Sequence, residues 1–166
     1  FLAEILEQPD AIENTLSHYL SSEGQKLLSC VKAIISDNKI EQIIFTGMGS
    51  SYFTSHAASC LFNEFKIHSF VINASELLHY NLSLFERETL LVCLSQSGES
   101  FEIQEIIKKL PSSVHCVGII NEENSTLAHN ADVTLLCKAG KEEMTSTKTY
   151  VVTTLVSFIL GWYISG

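Results

Sequence analysis

Five short, almost wholly apolar runs alternate with segments of helical period, and few folds accept that order. The runs are 42–46, 69–72, 89–94, 114–120 and 133–137. A strand buried on both faces reads as a continuous apolar run, and strands alternating with helices call for a parallel sheet covered on each side. The pattern predicts an α/β domain of flavodoxin-like, three-layer α/β/α architecture. Its five-stranded parallel sheet would run in the order 2-1-3-4-5. In that order the loops after strands 1 and 3 flank the point where the winding reverses, which is where such sheets bind ligands.

The helical segments are read from their spacing. Ahead of the sheet, Ile5, Ile12, Leu16 and Leu20, then Leu27, Leu28, Val31 and Ile35, predict two packing helices, with Pro9-Asp10 marking a helix start. The polar run 36–39 reads as a turn. A helix from about Ser51 to Phe65 would carry Phe53, Ala57, Cys60, Leu61 and Phe65 on one side. Ile103, Ile106, Ile107 and Leu110 mark one face of another, closed by Pro111. A short helix is expected near 125–128, and a final one from about Thr147 to Ile164. The division that follows is a helical segment over 1–36 and a sheet domain over 37–166.

The loops at the expected switch point share one chemistry. They read Gly47-Met48-Gly49-Ser50-Ser51-Tyr52 and Ser95-Gln96-Ser97-Gly98-Glu99-Ser100. A helix start offers unpaired N–H groups and about half a positive charge, so it attracts anions. Glycine lets the backbone approach, and small hydroxyls add donors without bulk. Two such loops on neighbouring strand ends would wrap one phosphate from two sides, with Ser97 and Ser100 facing one anion and Gln96 reaching a sugar hydroxyl or the phosphate.

Other motifs compete with this reading and are weaker. Gly47-x-Gly49 could open a dinucleotide fingerprint, but Tyr52 occupies the third glycine position and strand 2 ends Val71-Ile72-Asn73 with no acid. No Gly-Lys-Ser/Thr follows to make a Walker loop. Lone serines at these positions would be helix caps. No pair among His18, His56, His68, His79, His115 and His129 has metal-ligand spacing. His56, one turn past Ser51, and Glu76 are read as surface groups rather than as catalytic ones. The charged segment 139–148 joins the last strand to the last helix, and is either a capped loop or a flap closing over the ligand.

Composition narrows the partners. Charged residues are 17% and hydrophobic residues 46% of the chain, which suits a packed core. A net charge of −9, from 10 Lys+Arg against 19 Asp+Glu, disfavours nucleic acid and anionic membranes. The anion must then be held by local dipoles. The apolar stretch 151–164 is shorter than the roughly 20 residues a membrane span needs. The five cysteines are scattered, unpaired by motif and partly inside strands, as in a reduced, cytoplasmic protein. The chain begins at Phe1 rather than Met, stops at Gly166 after an apolar helix, and is read as a piece of a longer polypeptide.

An ordered set of short motifs resembles the sugar isomerase (SIS) domain family nearly end to end. They are Glu4-Ile5-Leu6-Glu7-Gln8-Pro9, Gly49-Ser50-Ser51-Tyr52, Ala74-Ser75-Glu76, Ser95-Gln96-Ser97-Gly98-Glu99-Ser100, Ser125-Thr126-Leu127-Ala128, Ala131-Asp132 and Ser146-Thr147-Lys148. The chain resembles the first such domain in the isomerase part of glucosamine-6-phosphate synthase and in related phosphosugar deaminases and deglycases. The resemblance implies that Ser51, Ser95, Gln96, Ser97 and Ser100 hold a phosphate, and that Gly49, Ser50 and Ser146 contact the sugar. It implies a hexose phosphate or amino-sugar phosphate as ligand, neither metal nor cofactor, and a homodimer or a second SIS domain completing the site. The proton-transferring groups of the family lie in that second half, so no catalytic residue is assigned here. The segment before Ser146 is about one residue shorter than in the family and carries Glu143-Met144-Thr145. The function implied is the phosphosugar-binding half of an isomerase, aminotransferase-type or deaminase enzyme. A non-catalytic sugar-phosphate sensor is the alternative.

Overall fold

The computed structural model describes residues 1–166 except Arg87, Met144, Thr145 and the side chain of Glu86. Its centre is a five-stranded, all-parallel sheet: β1 Gln42–Gly47, β2 Ser69–Asn73, β3 Thr89–Ser95, β4 His115–Ile120 and β5 Val133–Leu136. The strand order is β2-β1-β3-β4-β5, as the alternation predicts. Gly47 pairs with Asn73 on one side and Leu94 on the other, so β1 and β3 end level with each other.

Successive residues of the central strands serve opposite faces, as the pleat requires. Ile43, Phe45, Leu90, Val92 and Leu94 face one core with Leu28, Phe62, Val156 and Leu160, whereas Ile44, Leu91 and Cys93 face the other with Leu77, Ile103, Ile106 and Leu127. The first layer holds α2 Gln8–Leu20, α3 Ser22–Asp37, α4 Ser50–Glu64 and α8 Lys148–Ser165. The second holds α5 Ala74–Tyr80, α6 Phe101–Lys109 and α7 Thr126–Asn130. A short helix α1, Leu2–Leu6, precedes α2, and a 3-10 turn spans Leu82–Glu86.

Three details differ from the sequence reading. The segment ahead of the sheet forms three helices rather than two, with Pro9 in the first turn of α2. The inward face of α2 is Ala11, Thr15 and Tyr19, while Leu16 and Leu20 are exposed. Polar groups hold it there: Thr15 donates to the Cys137 carbonyl, and the Tyr19 hydroxyl donates to the Leu136 carbonyl at 3.0 Å. In α4 the buried face is Thr54, Ser55, Ala58, Ser59 and Phe62, and Phe53 and Cys60 point outward. Small residues win that face because α4 lies close to α8 and β2, where Ser59 and Ser69 share a hydrogen bond of 3.0 Å.

No helix among the described residues is long and apolar enough to cross a membrane. Val152, Val156 and Leu160 of α8 are instead buried against the sheet layer.

Candidate functional site

Both serine loops leave the same edge of the sheet from adjacent strands, β1 and β3. Between them lies a cavity of about 330 Å³ whose lining includes Gly49, Ser50, Ser51, Ser95, Gln96, Ser97, Ser100 and Ser146. Every position that the sequence reading marks for phosphate or sugar therefore borders one space. Its volume is at the lower end of the range for small-molecule sites. A wider hollow of about 920 Å³ opens beside it near the ends of β4 and β5 and shares Glu142 with it.

The first loop turns on Gly49, whose φ of 54° and ψ of −126° place it where side-chain-bearing residues are strained. A Cβ there would meet nothing within 4 Å, so the glycine answers to the backbone conformation and not to crowding. It is also the N-cap of α4, and no side chain caps that helix. The second loop is folded on Ser95: its Oγ accepts from Gly98 N at 3.0 Å and lies 3.3 Å from Ser100 Oγ. Ser97 Oγ accepts from Glu99 N at 3.2 Å. Ser100 is the N-cap of α6 but makes no capping bond with its side chain.

Away from the cavity, Ser21, Asn73 and Ser125 cap α3, α5 and α7 through side-chain oxygens. The helix starts at the cavity, α4 and α6, have no such cap, although Ser51 N and Tyr52 N of α4 bond the Met48 and Gly49 carbonyls. Ser100 is thus an N-cap serine that makes no capping bond, unlike Ser21 and Ser125; α1 and α2, away from the cavity, also start without a side-chain cap.

Glu99 anchors the second loop from outside. Its carboxylate accepts from Thr126 N at 2.6 Å and Thr126 Oγ1 at 2.8 Å, and the backbone bond in particular holds its pKa below the usual carboxylate value. Asn121 braces the same loop: its N–H donates to the Gln96 carbonyl at 3.2 Å, while its side chain bonds Ala139 N and the Gly140 carbonyl. The segment after β5 is thereby tied to the loop after β3.

The far wall is formed by Glu142, Glu143 and Ser146. Glu142, assigned no role in the sequence reading, is 7% exposed. Its carboxylate accepts from Thr147 N at 2.7 Å, Thr147 Oγ1 at 2.8 Å and Thr149 N at 3.3 Å, and also from the Thr149 hydroxyl. Glu142 thus caps α8 from within its own loop. Burial pushes its pKa up, but these bonds outweigh burial and leave it below the ordinary value of 4.5. The signal in the sequence is an acid placed just ahead of the hydroxyls Thr147 and Thr149, but nothing local says that the loop folds back. Met144 and Thr145, part of the expected flap, lie outside the described residues.

No histidine, lysine or arginine stands among the described lining residues. Donors to an anion among the described lining residues are N–H dipoles, hydroxyls and the Gln96 amide. His56 packs edge-on against Tyr52 at 4.7 Å between ring centroids and does not line the cavity, nor does Glu76, which is exposed. No group of three or more potential metal ligands occurs among the described residues.

Comparisons with known proteins agree with this geometry. A family model described as SIS domain matches residues 34–160. The chain is 35% identical over 167 residues to the glutamine–fructose-6-phosphate aminotransferase [isomerizing] of Pyrococcus horikoshii, covering 96% of this chain and 27% of that protein. It is 32% identical over 161 residues to the protein of that name from Methanothermobacter thermautotrophicus, covering 96% and 26%. The chain therefore spans about a quarter of the length of these relatives. Among solved structures, the C-terminal domain of glucosamine-fructose-6-phosphate aminotransferase from Francisella tularensis superposes with a TM-score of 0.84 at 26% identity, over 99% of this chain and 46% of that one. Tagatose-6-phosphate ketose/aldose isomerase from Escherichia coli shares the fold, with a TM-score of 0.78 at 18% identity over 95% of this chain and 46% of that one.

Proposed function

The chain belongs to the SIS domain family, and from that premise we propose that its cavity binds the phosphoryl end of a hexose phosphate or amino-sugar phosphate. Ser51, Ser95, Gln96, Ser97 and Ser100 hold the phosphate, and Gly49, Ser50 and Ser146 meet the sugar. The observation that carries this reading is the pair of uncapped helix starts, α4 and α6, on one cavity lined by these serines. Fructose 6-phosphate is the first ligand to test, because the relatives with the highest identities quoted above carry it in their names.

The chain is proposed as one half of an enzyme that moves a proton between C1 and C2 of such a sugar through an enediol or enolamine. Anchoring the phosphate uses remote binding energy to place the reacting carbons. Glu142 has its carboxylate engaged by the start of α8, and the resemblance assigns the base that abstracts the proton to the other half of the enzyme. A second SIS domain or a second copy of the chain in a homodimer would supply it, in the cytoplasm, with neither metal nor cofactor. The non-catalytic alternative, a sugar-phosphate sensor, uses the same cavity and differs only in lacking that second half.

Titration calorimetry with fructose 6-phosphate and with inorganic phosphate tests the reading. Binding of both, abolished or weakened by Ser97→Ala, is expected; equal affinity in wild type and variant would overturn the assignment.

A further inference from the structure

The opening motif Glu4-Ile5-Leu6-Glu7 is still without a role, and its two acids meet the segment that walls the cavity. Glu4 Oε1 accepts from Glu143 N at 2.9 Å. Glu7 Oε2 accepts from Lys148 Nζ at 2.5 Å, with the Lys148 side chain 4% exposed. Lys148 is the first residue of α8, and Glu143 lines the cavity. An ammonium so deeply buried is costly unless it is paired, so Lys148 holds its place only where Glu7 can reach it. The two contacts fix Glu143 and Lys148, and Ser146 lies between these two in sequence. Thr15 and Tyr19 fix α2 to the end of β5, so the acids stand on a fixed support.

We propose that Glu4 and Glu7 are positioning residues: through Glu143 and Lys148 they hold Ser146 at the sugar end of the cavity and set the affinity for the sugar without touching it. The proposal rests on the phosphosugar reading above. It also makes a distinction, because the phosphate end is built by the loops after β1 and β3, which neither acid contacts.

The test is calorimetry on the full chain with fructose 6-phosphate and inorganic phosphate as separate probes. Glu7→Ala is expected to weaken fructose 6-phosphate at least fivefold and to leave inorganic phosphate within twofold of wild type. Glu7→Gln, which keeps an oxygen for the Lys148 ammonium, is expected to recover part of the loss. An unchanged ratio of the two affinities in Glu7→Ala, even with a lowered melting temperature, would overturn the proposal and leave the contact merely structural. Should Glu7→Ala fail to fold, Glu4→Ala carries the ratio test instead: a ratio shifted against fructose 6-phosphate supports the proposal, and an unchanged one overturns it. Ser97→Ala reports on the underlying reading separately: it should weaken both probes together, and no effect on either would sink the phosphosugar assignment itself.

Discussion

Ser95 Oγ accepts from Gly98 N and lies 3.3 Å from Ser100 Oγ, so the hydroxyl of the last residue of β3 organises the loop whose other serines face the cavity. Ser97 stands outside that pairing, and its removal takes away one loop bond, from Glu99 N, along with the ligand contact. Ser97→Ala is expected to cost about 1–3 kcal/mol of fructose 6-phosphate binding, the loss for an undersatisfied charged acceptor. Ser51→Ala on the opposite loop should cost a similar amount. The double variant should depart from the sum of the two, because both hydroxyls would serve one group. Calorimetry at fixed ionic strength measures all three.

Gly49 and Gly98, one in each serine loop, should respond differently to alanine. Gly49 has φ 54° and ψ −126° and open space around it, so Gly49→Ala meets only backbone strain of roughly 1–3 kcal/mol. Gly98 has φ 66°, and a Cβ there would collide with Ser125 Oγ, the cap of α7. Gly98→Ala should therefore lower the melting temperature more than Gly49→Ala does. The reverse ranking by thermal denaturation would contradict the loop geometry.

Stability should fall in acid in two stages. His18 is held below its ordinary value of 6.5 by burial and by the Lys138 ammonium. Its folded form then binds fewer protons than its unfolded form just below that value, so its contribution is complete above pH 6.5 and declines as pH falls towards the lower folded value. Glu142, Glu4 and Glu99 all lie below 4.5, so their contributions are complete above that pH and are lost as pH drops through the depressed folded values. Melting temperature followed from pH 8 downwards should show both declines, and Glu142→Gln should flatten the second.

Thiol reactivity should divide the cysteines. Cys30 and Cys60 are exposed, whereas Cys93, Cys116 and Cys137 are buried. Burial pushes the Cys137 thiol up to about 12. The Cys116 thiol beside Cys93, together with burial, raises that group too. A thiol reagent at mildly alkaline pH should modify Cys30 and Cys60 in the native chain and reach the others only in denaturant.

The sheet was legible because its central strands are buried on both faces, so Ile43, Ile44 and Phe45 announce themselves without any partner being known. The loops were legible for a related reason: what they do depends on local backbone and on strand order, and both follow from the alternation. Helix faces were not. Apolar spacing turns α4 towards Phe53 and Cys60, but close packing on α8 and β2 selects Thr54, Ser55 and Ser59. Contacts between distant parts of the chain were beyond reach as well. The Glu7–Lys148 pair joins the start of α2 to the start of α8, and the role of Glu142 depends on its loop folding back over Thr147 and Thr149.

A crystal of the chain grown with fructose 6-phosphate puts the central claim to the most direct test. One phosphoryl group should lie between the loops after β1 and β3, with oxygens about 3 Å from the Ser51 and Ser97 hydroxyls. A phosphoryl group bound to one loop alone, or sugar phosphate bound elsewhere with this cavity filled only by water, would contradict it.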